Sequence, residues 1–339
     1  MDFDGVDENH VALELLIRGF QVSRMIRAVA DLGVADQIPI DASRNIDSLA
    51  KACSVLAPPL LRVLRALSAF GIFRVAPDGS VAHSARSMLL RKDAPDSLYY
   101  SARFWTTASS WNAWGALDTA FSGEVPHETV WHTKRFEYLR EHPDEARRFD
   151  DFMAHYPDNR HAAVAAAYDF SGASTIVDVG GGNGETLRHI LSRFSRPRGL
   201  VLDREDVVAA IGPDMCQDGR ITTEGGNYFE HVPAGADLYL LIRVLHDWED
   251  EDCVQILRTC RAAMLPNARL LIVEQILERD PSRGEPVGYL VDTHMMVMFG
   301  HGRERTVAEV DELLAASGFV PVRLIHTESP VSIIEVAPQ

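Results

Sequence analysis

Positive charge is scarce in this chain. Its 339 residues include 33 lysines and arginines against 49 aspartates and glutamates, which gives a formal net charge of −16. Lysine occurs only at Lys51, Lys92 and Lys134. A protein that binds nucleic acid or an anionic membrane surface needs a basic footprint. We therefore expect neither nucleic acid nor a membrane as a partner.

Long apolar runs and cysteine motifs are also missing. No apolar stretch approaches the ~18 residues of a membrane-spanning helix, and because the first residues are acidic we expect no signal peptide. The four cysteines, Cys53, Cys216, Cys253 and Cys260, include no Cys-x-x-Cys pair, so we expect neither a disulfide framework nor a metal site. Cys253 and Cys260 lie two turns apart on a predicted helix, as half-buried apolar residues would. The expected location is the cytoplasm.

The N-terminal third of the chain has helical periodicity and one hairpin signal. Residues 10–70 carry several helical patterns, and residues 72–82 alternate around Pro-Asp-Gly, which predicts a short hairpin. Helices followed by a small hairpin are typical of a winged helix, which serves DNA binding in some proteins and dimerisation in others. The weakly basic surroundings favour dimerisation.

The middle of the chain, residues 95–170, is mainly helical and rich in aromatic residues. Most of these side chains are expected in the core. Phe149 and Met153 lie one helical turn apart on the same face, and they are candidates to line an apolar pocket for a flat substrate.

From about residue 172, strands and helices alternate, which predicts a doubly wound, mostly parallel sheet. The predicted helices cover residues 185–194, 205–210, 250–264 and 306–316. The predicted strands cover residues 175–179, 199–203, 221–223, 237–243, 269–274, 319–325 and 332–336. Because no helix separates the last two strands, they should form an antiparallel hairpin at one edge.

A glycine cluster connects the first strand of this region to the first helix. Gly180, Gly182 and Gly184 follow the strand 175–179 directly, and the helix 185–194 begins after them. A glycine turn at a helix N-terminus allows a ligand to contact backbone N–H groups. A glycine-rich turn that binds no ligand is the alternative.

Acidic residues around the turn indicate which ligand it binds. Dinucleotide sites read Gly-x-Gly-x-x-Gly, but Glu185 occupies the third glycine position here, and Asp178 precedes the turn. Carboxylates suit a cationic ligand such as S-adenosylmethionine better than a pyrophosphate. Asp203 ends the next strand, about 20 residues past the turn, where an acid binds ribose hydroxyls. A solvated acid at a strand end is the alternative for Asp203.

A histidine and two further acids follow other predicted strands. His246 comes just after the strand 237–243, at the edge of the sheet where ligands bind. Histidine readily accepts a proton near neutral pH. Glu274 ends the strand 269–274, and Glu304 precedes the last helix. A carboxylate on the far ring nitrogen would orient the imidazole and raise its basicity, although a lone Glu304 would also suit the helix N-terminus.

Three motifs together give the chain a family resemblance. Val-Asp-Val-Gly-Gly-Gly-Asn-Gly at 177–184, Leu-His-Asp-Trp at 245–248 and Gly-Arg-Glu-Arg-Thr at 302–306 resemble the S-adenosylmethionine-dependent small-molecule O-methyltransferases of plants and bacteria. The resemblance implies an α/β fold: a Rossmann-like doubly wound sheet with a C-terminal antiparallel hairpin, preceded by a mainly helical, winged-helix-like dimerisation domain. It implies a dimerisation domain at 1–95, a helical linker and substrate-pocket region at 96–170, and a catalytic domain at 171–339.

The resemblance also implies roles for individual residues. His246 is similar to the family's general base, and Glu274 and Glu304 to its flanking carboxylates. The residues similar to the family's cofactor contacts are Gly180, Asp203, Asn227, Tyr228, Phe229, Arg243 and Trp248. Those similar to its substrate contacts are Phe149, Met153 and Asp247.

Two departures from the family pattern affect the cofactor contacts. Asn227 stands where the family often has aspartate, so its carbonyl would replace a charged group. Plant members carry a lysine four residues before the histidine, where this chain has Ile242, with Arg243 one residue later. The cofactor contact there would come from the backbone or from Arg243.

The resemblance implies methylation of a phenolic hydroxyl on a small aromatic secondary metabolite by a homodimer, with S-adenosylmethionine as methyl donor and no metal. Two alternatives stay open. One is an enzyme of the same fold that catalyses hydroxylation, decarboxylation or pericyclic chemistry. The other is a non-catalytic winged-helix binding protein. Residue spacing does not identify the acceptor.

Overall fold

The computed structural model describes residues 7–156, 158–212 and 219–339, so Cys216 lies outside the described residues. The chain forms two compact units. The N-terminal unit comprises Met1–Ala116 and His127–Pro157, and the C-terminal unit comprises Leu117–Pro126 and Asp158–Gln339. Most of the predicted middle segment, residues 96–170, therefore belongs to the N-terminal unit.

The N-terminal unit is built mainly from short helices. Its strands are β1 (Arg44–Asn45), β2 (Arg74–Val75) and β3 (Ser80–Ala82), in the antiparallel order β1-β3-β2. Its helices are α1 (Glu8–Ile17), α2 (Gly19–Asp31), α3 (Ile46–Ala52), α4 (Ala57–Ala69), α5 (Ala85–Met88), α6 (Tyr99–Phe104), α7 (Ala108–Gly115), α8 (Pro126–Trp131), α9 (Arg135–Glu141) and α10 (Pro143–Ala154).

Helix α4 and the hairpin after it confirm the predicted winged-helix pattern. Leu60, Leu64 and Leu67 are buried on one face of α4. The helix ends before Gly71, whose φ of +71° is the left-handed conformation that favours glycine at a C-terminus. Strands β2 and β3 then pair around Pro-Asp-Gly. Strand β1 was not predicted, because two residues are too short to show a period.

The C-terminal unit alternates strands and helices as predicted. Its helices are α11 (Arg160–Ala167), α12 (Glu185–Arg193), α13 (Glu205–Val208), α14 (Asp250–Ala263), α15 (Pro286–Phe299) and α16 (Val307–Ser317). Its strands are β4 (Thr175–Val179), β5 (Arg198–Asp203), β6 (Ile221–Gly225), β7 (Leu238–Ile242), β8 (Arg269–Leu277), β9 (Arg305–Thr306), β10 (Phe319–His326) and β11 (Val331–Pro338).

The sheet of this unit has the order β10-β11-β8-β7-β4-β5-β6, and β9 pairs with β8 outside that path. The strands from β6 to β8 are parallel, while β11 and β10 form the predicted antiparallel hairpin at one edge. The chain runs outward from β4 through β5 to β6 and then returns to the other side of β4 as β7. Ligands of open α/β sheets bind beyond the carboxyl ends of the strands at such a reversal. The glycine turn after β4 and the His246 turn after β7 meet this condition.

Alternating side chains of β7 pack on the two faces of the sheet. Tyr239 and Leu241 belong to one buried cluster, together with Cys253 and Cys260 of α14. Leu238 and Leu240 belong to the cluster on the other face, which includes Leu187 and Ile190 of α12. The two cysteines are fully buried rather than half-buried as predicted, because both point into this core.

Among the described residues no single helix is long and apolar enough to cross a membrane. Helices α3 and α4, bent by 107° at their junction, meet the length and composition requirement only as a pair.

Candidate cofactor and acid–base site

The turn after β4 requires glycine for two separate reasons. Gly180, Gly182 and Gly184 have φ values of +71°, +57° and +80°, which L side chains rarely adopt. A Cβ atom on Gly180 would also lie 2.8 Å from Cγ2 of Val244. The turn after β4 and the segment after β7 are therefore in close contact, and a side chain on Gly180 would separate them.

Asp178 lies beneath the glycine turn without a hydrogen-bond partner. The residue is fully buried, and neither carboxylate oxygen has a partner among the described residues. Burial, with a smaller contribution from Asp203, raises the pKa of Asp178 to about 7. A buried acid without a donor favours its neutral form or a cation nearby.

Asp203 ends β5 and also contacts the turn. Its Oδ2 accepts a hydrogen bond from the N–H of Gly182 at 2.9 Å, and its Oδ1 accepts from the N–H of Arg204 at 2.7 Å. Each carboxylate oxygen retains a lone pair for a further donor. The structure thus holds this acid against the glycine turn, and its role in ribose binding stays a prediction.

Glu185, the first residue of α12, is paired with side chains of its own helix, so it favours a cationic ligand less directly than expected. Its carboxylate pairs with Arg188 and with His189 on its own helix. These i,i+3 and i,i+4 contacts compensate its charge locally. The acidic character of the turn therefore comes mainly from Asp178 and Asp203.

Three aromatic side chains pack together after β6 and β7. The ring centroids of Tyr228 and Phe229 are 5.3 Å apart, and Phe229 meets Trp248 edge-to-face at 4.7 Å. Asn227 is exposed and shapes the turn, since its Oδ1 accepts from the N–H of Phe229 and its Nδ2 donates to Glu230. The Asn227 carbonyl can still accept one further hydrogen bond.

His246 lies in a short 3-10 turn, Leu245–Asp247, immediately beyond β7. Its Nδ1 is 3.3 Å from Oε1 of Glu304, and its Nε2 is 3.3 Å from Oδ1 of Asp247. Glu274 has a different role. Its Oε1 accepts hydrogen bonds from the backbone N–H groups of Val244 and Leu245 at 3.1 and 2.9 Å. The acid next to the imidazole is thus Glu304, while Glu274 fixes the backbone that leads to it.

Arg243 joins the two acids and the histidine. Its Nη1 is 3.0 Å from Oε2 of Glu274 and 2.7 Å from Oε2 of Glu304. Its Nη2 is 2.5 Å from Oε1 of Glu304 and 2.9 Å from Nδ1 of His246. The side chain, predicted to contact the cofactor, is engaged in this acid–base cluster.

The surrounding charges shift the pKa values of the cluster. Burial, and then Arg243, lower the pKa of His246, but Asp247, Glu304 and Glu274 outweigh them and raise it above its ordinary value. Burial opposes ionisation of Glu304, yet its contacts with Arg243 and His246 lower its pKa to about 2. Burial raises the pKa of Glu274 despite Arg243. Glu304 is therefore the permanent anion beside the imidazole.

The loop 302–306 holds the His246 turn in place. The N–H of Arg303 donates to the carbonyl of His246 at 2.8 Å. The guanidinium of Arg305 donates to the carbonyls of Leu245 and Trp248, both at 2.8 Å, and pairs with Asp250. The Gly-Arg-Glu-Arg-Thr motif contains these residues, but sequence reasoning assigned a role only to Glu304.

Phe149 and Met153 both lie on α10 in the N-terminal unit. Phe149 is half-buried, with its ring 5.9 Å from that of Phe104, and Met153 is 49% exposed. The core position on this helix is Phe152, which stacks on Phe104 at 4.2 Å. The substrate roles of Phe149 and Met153 stay predictions.

Residues 114–320 match the O-methyltransferase domain family. The chain belongs to this family. It is 38% identical over 328 residues to phenazine O-methyltransferase of Lysobacter antibioticus, and the alignment covers 95% of this chain and 94% of that protein. The structure of mitomycin 7-O-methyltransferase superimposes with a TM-score of 0.86 at 32% identity and covers 98% of each chain. A third structure is an O-methyltransferase from neocarzinostatin biosynthesis, solved with S-adenosylmethionine and 2-hydroxy-5-methyl naphthoic acid. It superimposes with a TM-score of 0.76 at 30% identity, and the match covers 94% of this chain and 96% of that chain.

Family membership confirms the predicted enzyme class, the Rossmann-like fold with a helical N-terminal domain, and the methyl donor. The methyltransferase uses S-adenosylmethionine, a ligand with a cationic sulfonium, an amino group and a ribose. The described residues fit it, because Asp178 is a buried acid that lacks a donor and is repelled by Asp203. A cationic ligand beside the glycine turn relieves that repulsion. The described residues contain no group of three or more His, Cys, Asp or Glu side chains that could hold a metal ion.

Proposed function

We propose that this methyltransferase methylates a phenolic hydroxyl of an aromatic secondary metabolite, with His246 as the general base. The observation that carries the proposal is the contact of 3.3 Å between Nδ1 of His246 and Oε1 of the buried Glu304. An imidazole with an ionised carboxylate on one nitrogen is suited to accept a proton on the other. The relatives support the acceptor class, since their names specify phenazine, mitomycin and naphthoic acid compounds.

Proton transfer to His246 is uphill without help from the site. When bound, S-adenosylmethionine supplies an electrophilic methyl group. A phenol near pKa ~10 and an imidazole near ~6.5 differ by ~3.5, so full transfer to Nε2 costs about 5 kcal/mol. The acids around His246 raise its pKa and reduce this cost. Glu304 accepts a hydrogen bond from Nδ1–H and stabilises the imidazolium.

The other predicted contacts complete the proposal. Glu274 positions the His246 turn through two backbone N–H groups. Asp247 lies 3.3 Å from Nε2 of His246 and is about half exposed, which suits a residue that meets the acceptor beside its hydroxyl. Phe149 and Met153 are proposed to flank the acceptor ring. The proposed cofactor contacts are Gly180, Asp203, Asn227, Tyr228, Phe229, Trp248 and the backbone of Arg243.

Transfer of a labelled methyl group tests the proposal. The purified enzyme is incubated with methyl-labelled S-adenosylmethionine and a panel of hydroxylated phenazines and naphthoates, with amino and carboxylate analogues beside them. We expect label on a phenolic oxygen and a loss of about 100-fold or more in His246→Gln. His326→Gln, which changes an exposed histidine on β10, is the matched control. Label on nitrogen or carboxylate, or no transfer at all, would contradict the proposed chemistry.

A homodimer formed through the N-terminal unit is part of the proposal. Helix α1 has no buried residue among its ten. Leu13, Leu16 and Ile17 of α1 are 59%, 77% and 63% exposed, at the spacing of one helix face, and Phe20 at the start of α2 is 56% exposed. A short helix gains little stability without packing of its apolar face, and a contiguous exposed apolar surface is typical of a protein interface. A second copy of this chain is the proposed partner.

A cytoplasmic location is also proposed. Cys53, Cys253 and Cys260 are free thiols among the described residues, which suits a reducing compartment.

A further inference from the structure

The guanidinium of Arg243 competes with Glu304 for the same nitrogen of His246. Nη2 of Arg243 lies 2.9 Å from Nδ1, closer than the 3.3 Å between Nδ1 and Oε1 of Glu304. A guanidinium N–H only donates, whereas a carboxylate only accepts. Nδ1 can satisfy one of these partners at a time, since it carries either a lone pair or a proton.

The shorter of the two contacts favours a hydrogen bond from Arg243 to Nδ1. If Nδ1 accepts from Arg243, a neutral imidazole carries its proton on Nε2. Nε2 then has an acceptor available, because Oδ1 of Asp247 lies 3.3 Å away. Both contacts are consistent with a single tautomer. That tautomer cannot act as a base at Nε2, the nitrogen proposed to accept the hydroxyl proton.

The position of Arg243 is set by charge and by the backbone. The side chains of Glu274 and Glu304 are only 6% and 0% exposed, and two buried carboxylates need a shared cation. The guanidinium of Arg243 reaches both carboxylates. The backbone of Arg243 has a φ of +54°, which is uncommon for a residue of this size. The charged groups that face His246 are Arg243, Glu304, Glu274 and Asp247.

We propose that Arg243 is a positioning residue that selects the tautomer of His246. In the resting enzyme Arg243 donates to Nδ1, and the Nε2 proton faces Asp247. When an acceptor hydroxyl displaces Asp247, Nε2 releases its proton to solvent and Nδ1 takes one from solvent, so the ring stays neutral. Nδ1 then donates to Glu304, while Arg243 keeps its contacts with the two glutamates. The second half of this inference rests on the proposed function.

Nitrogen NMR of the full-length enzyme tests the tautomer directly. Histidine-ring ¹⁵N labelling reports which nitrogen carries the proton, and the His246 signals are those lost in His246→Gln. We expect Nε2–H in the wild type without acceptor. In Arg243→Met we expect a shift to Nδ1–H, because Glu304 becomes the only partner of Nδ1. In Arg243→Lys the ammonium still only donates, so the resting tautomer should stay Nε2–H.

The pH profile separates tautomer selection from a merely structural role. Because Arg243 lowers the pKa of His246, its loss should move the acidic limb of kcat/KM to higher pH. The shift should appear in Arg243→Met, which removes the positive charge, and not in Arg243→Lys, which keeps it, while KM changes less than about threefold in both. Arg323→Lys, which alters an Arg–Glu335 pair at the sheet edge, is the control and should leave both readouts unchanged.

Two outcomes would overturn the inference. One is Nδ1–H in the resting wild type, and the other is an unchanged tautomer in folded Arg243→Met. Failure of the proposed function gives a different result, since the wild type would then methylate no phenol while its NMR tautomer could still be assigned.

Discussion

Oε1 of Glu304 lies 3.3 Å from Nδ1 of His246, and the glutamate side chain is completely buried. Burial alone would favour a neutral acid, but Arg243 and His246 lower the pKa of Glu304 to about 2. Glu304 is therefore ionised throughout the pH range in which an imidazole titrates. This contact makes one nitrogen of His246 the place where positive charge is stabilised, and it leaves the other for the reaction.

Glu304→Gln tests that contact. The amide keeps the shape and removes the charge that raises the pKa of His246. We expect kcat to fall about 100-fold and the acidic limb of kcat/KM to move to lower pH, because the imidazole loses a partner that favours its protonated form. A pH–rate series measures both effects. Glu312→Gln, at an exposed position of α16, is the control, and an unshifted limb in Glu304→Gln would argue against the role of Glu304.

Gly180→Ala tests the close contact between the two turns. The substitution places a Cβ 2.8 Å from Val244 in a residue with φ of +71°. We expect a loss of about 1–3 kcal/mol in the free energy of unfolding and weaker binding of S-adenosylmethionine. Denaturant unfolding and calorimetric titration measure these quantities. Gly172→Ala, where a Cβ meets nothing within 4 Å, should change neither; equal effects at both positions would show that Gly180 has no special role.

The raised pKa of Asp178 predicts that the stability of the fold depends on pH. Its pKa rises from 3.8 in the unfolded chain to about 7 in the fold, through burial and then Asp203. The fold therefore prefers the protonated acid, and the stability contribution is complete below pH 3.8 and is lost as the pH rises through about 7. Asp178→Asn should raise Tm without ligand, by an amount that grows up to about pH 7 and corresponds to at most ~4 kcal/mol.

Thermal unfolding between pH 4 and pH 8 provides the measurement. Asp311→Asn, at an exposed position of α16, should follow the wild type at every pH. A Tm difference for Asp178→Asn that does not change with pH would rule out the buried charge as its cause.

Leu16→Asp tests the proposed dimer. Leu16 is 77% exposed on the apolar face of α1, so a charge there should prevent association without disturbing the core. Size-exclusion chromatography with light scattering should give a dimer for the wild type and a monomer for the variant. Leu265→Asp, a substitution at a 50% exposed residue of the C-terminal unit, should remain dimeric. A monomeric wild type would refute the proposed assembly.

Periodic patterns predicted most of the C-terminal unit. The strands β4, β5 and β7 and the helix α14 begin and end within about two residues of the expected positions, because each buries a regular set of apolar side chains. The hairpin of β10 and β11 followed from the missing helix between them. The two-residue strands β1 and β9 were not predicted, since elements of that length carry no period.

The part of the acid–base cluster that sequence reasoning missed depends on long-range contacts. Arg243 lies 31 residues before Glu274 and 61 before Glu304, and its φ of +54° turns the side chain toward them. Its position three residues before His246 predicted only that Arg243 would lie near the cofactor. Likewise, no local pattern indicates that Arg305 donates to the carbonyls of Leu245 and Trp248, because these partners are 60 and 57 residues away in the sequence.

The most direct test of His246 as the general base is the pH dependence of single-turnover methyl transfer in the wild type and in His246→Gln, each saturated with S-adenosylmethionine and a phenolic acceptor. We expect the wild-type rate to rise with pH through the titration of one group whose pKa lies above the ordinary value of histidine. We expect His246→Gln to be slower by about 100-fold or more at pH 7 and to lack that step. A variant with wild-type rates, or with the same pH-dependent step, would contradict the assignment of His246 as the general base.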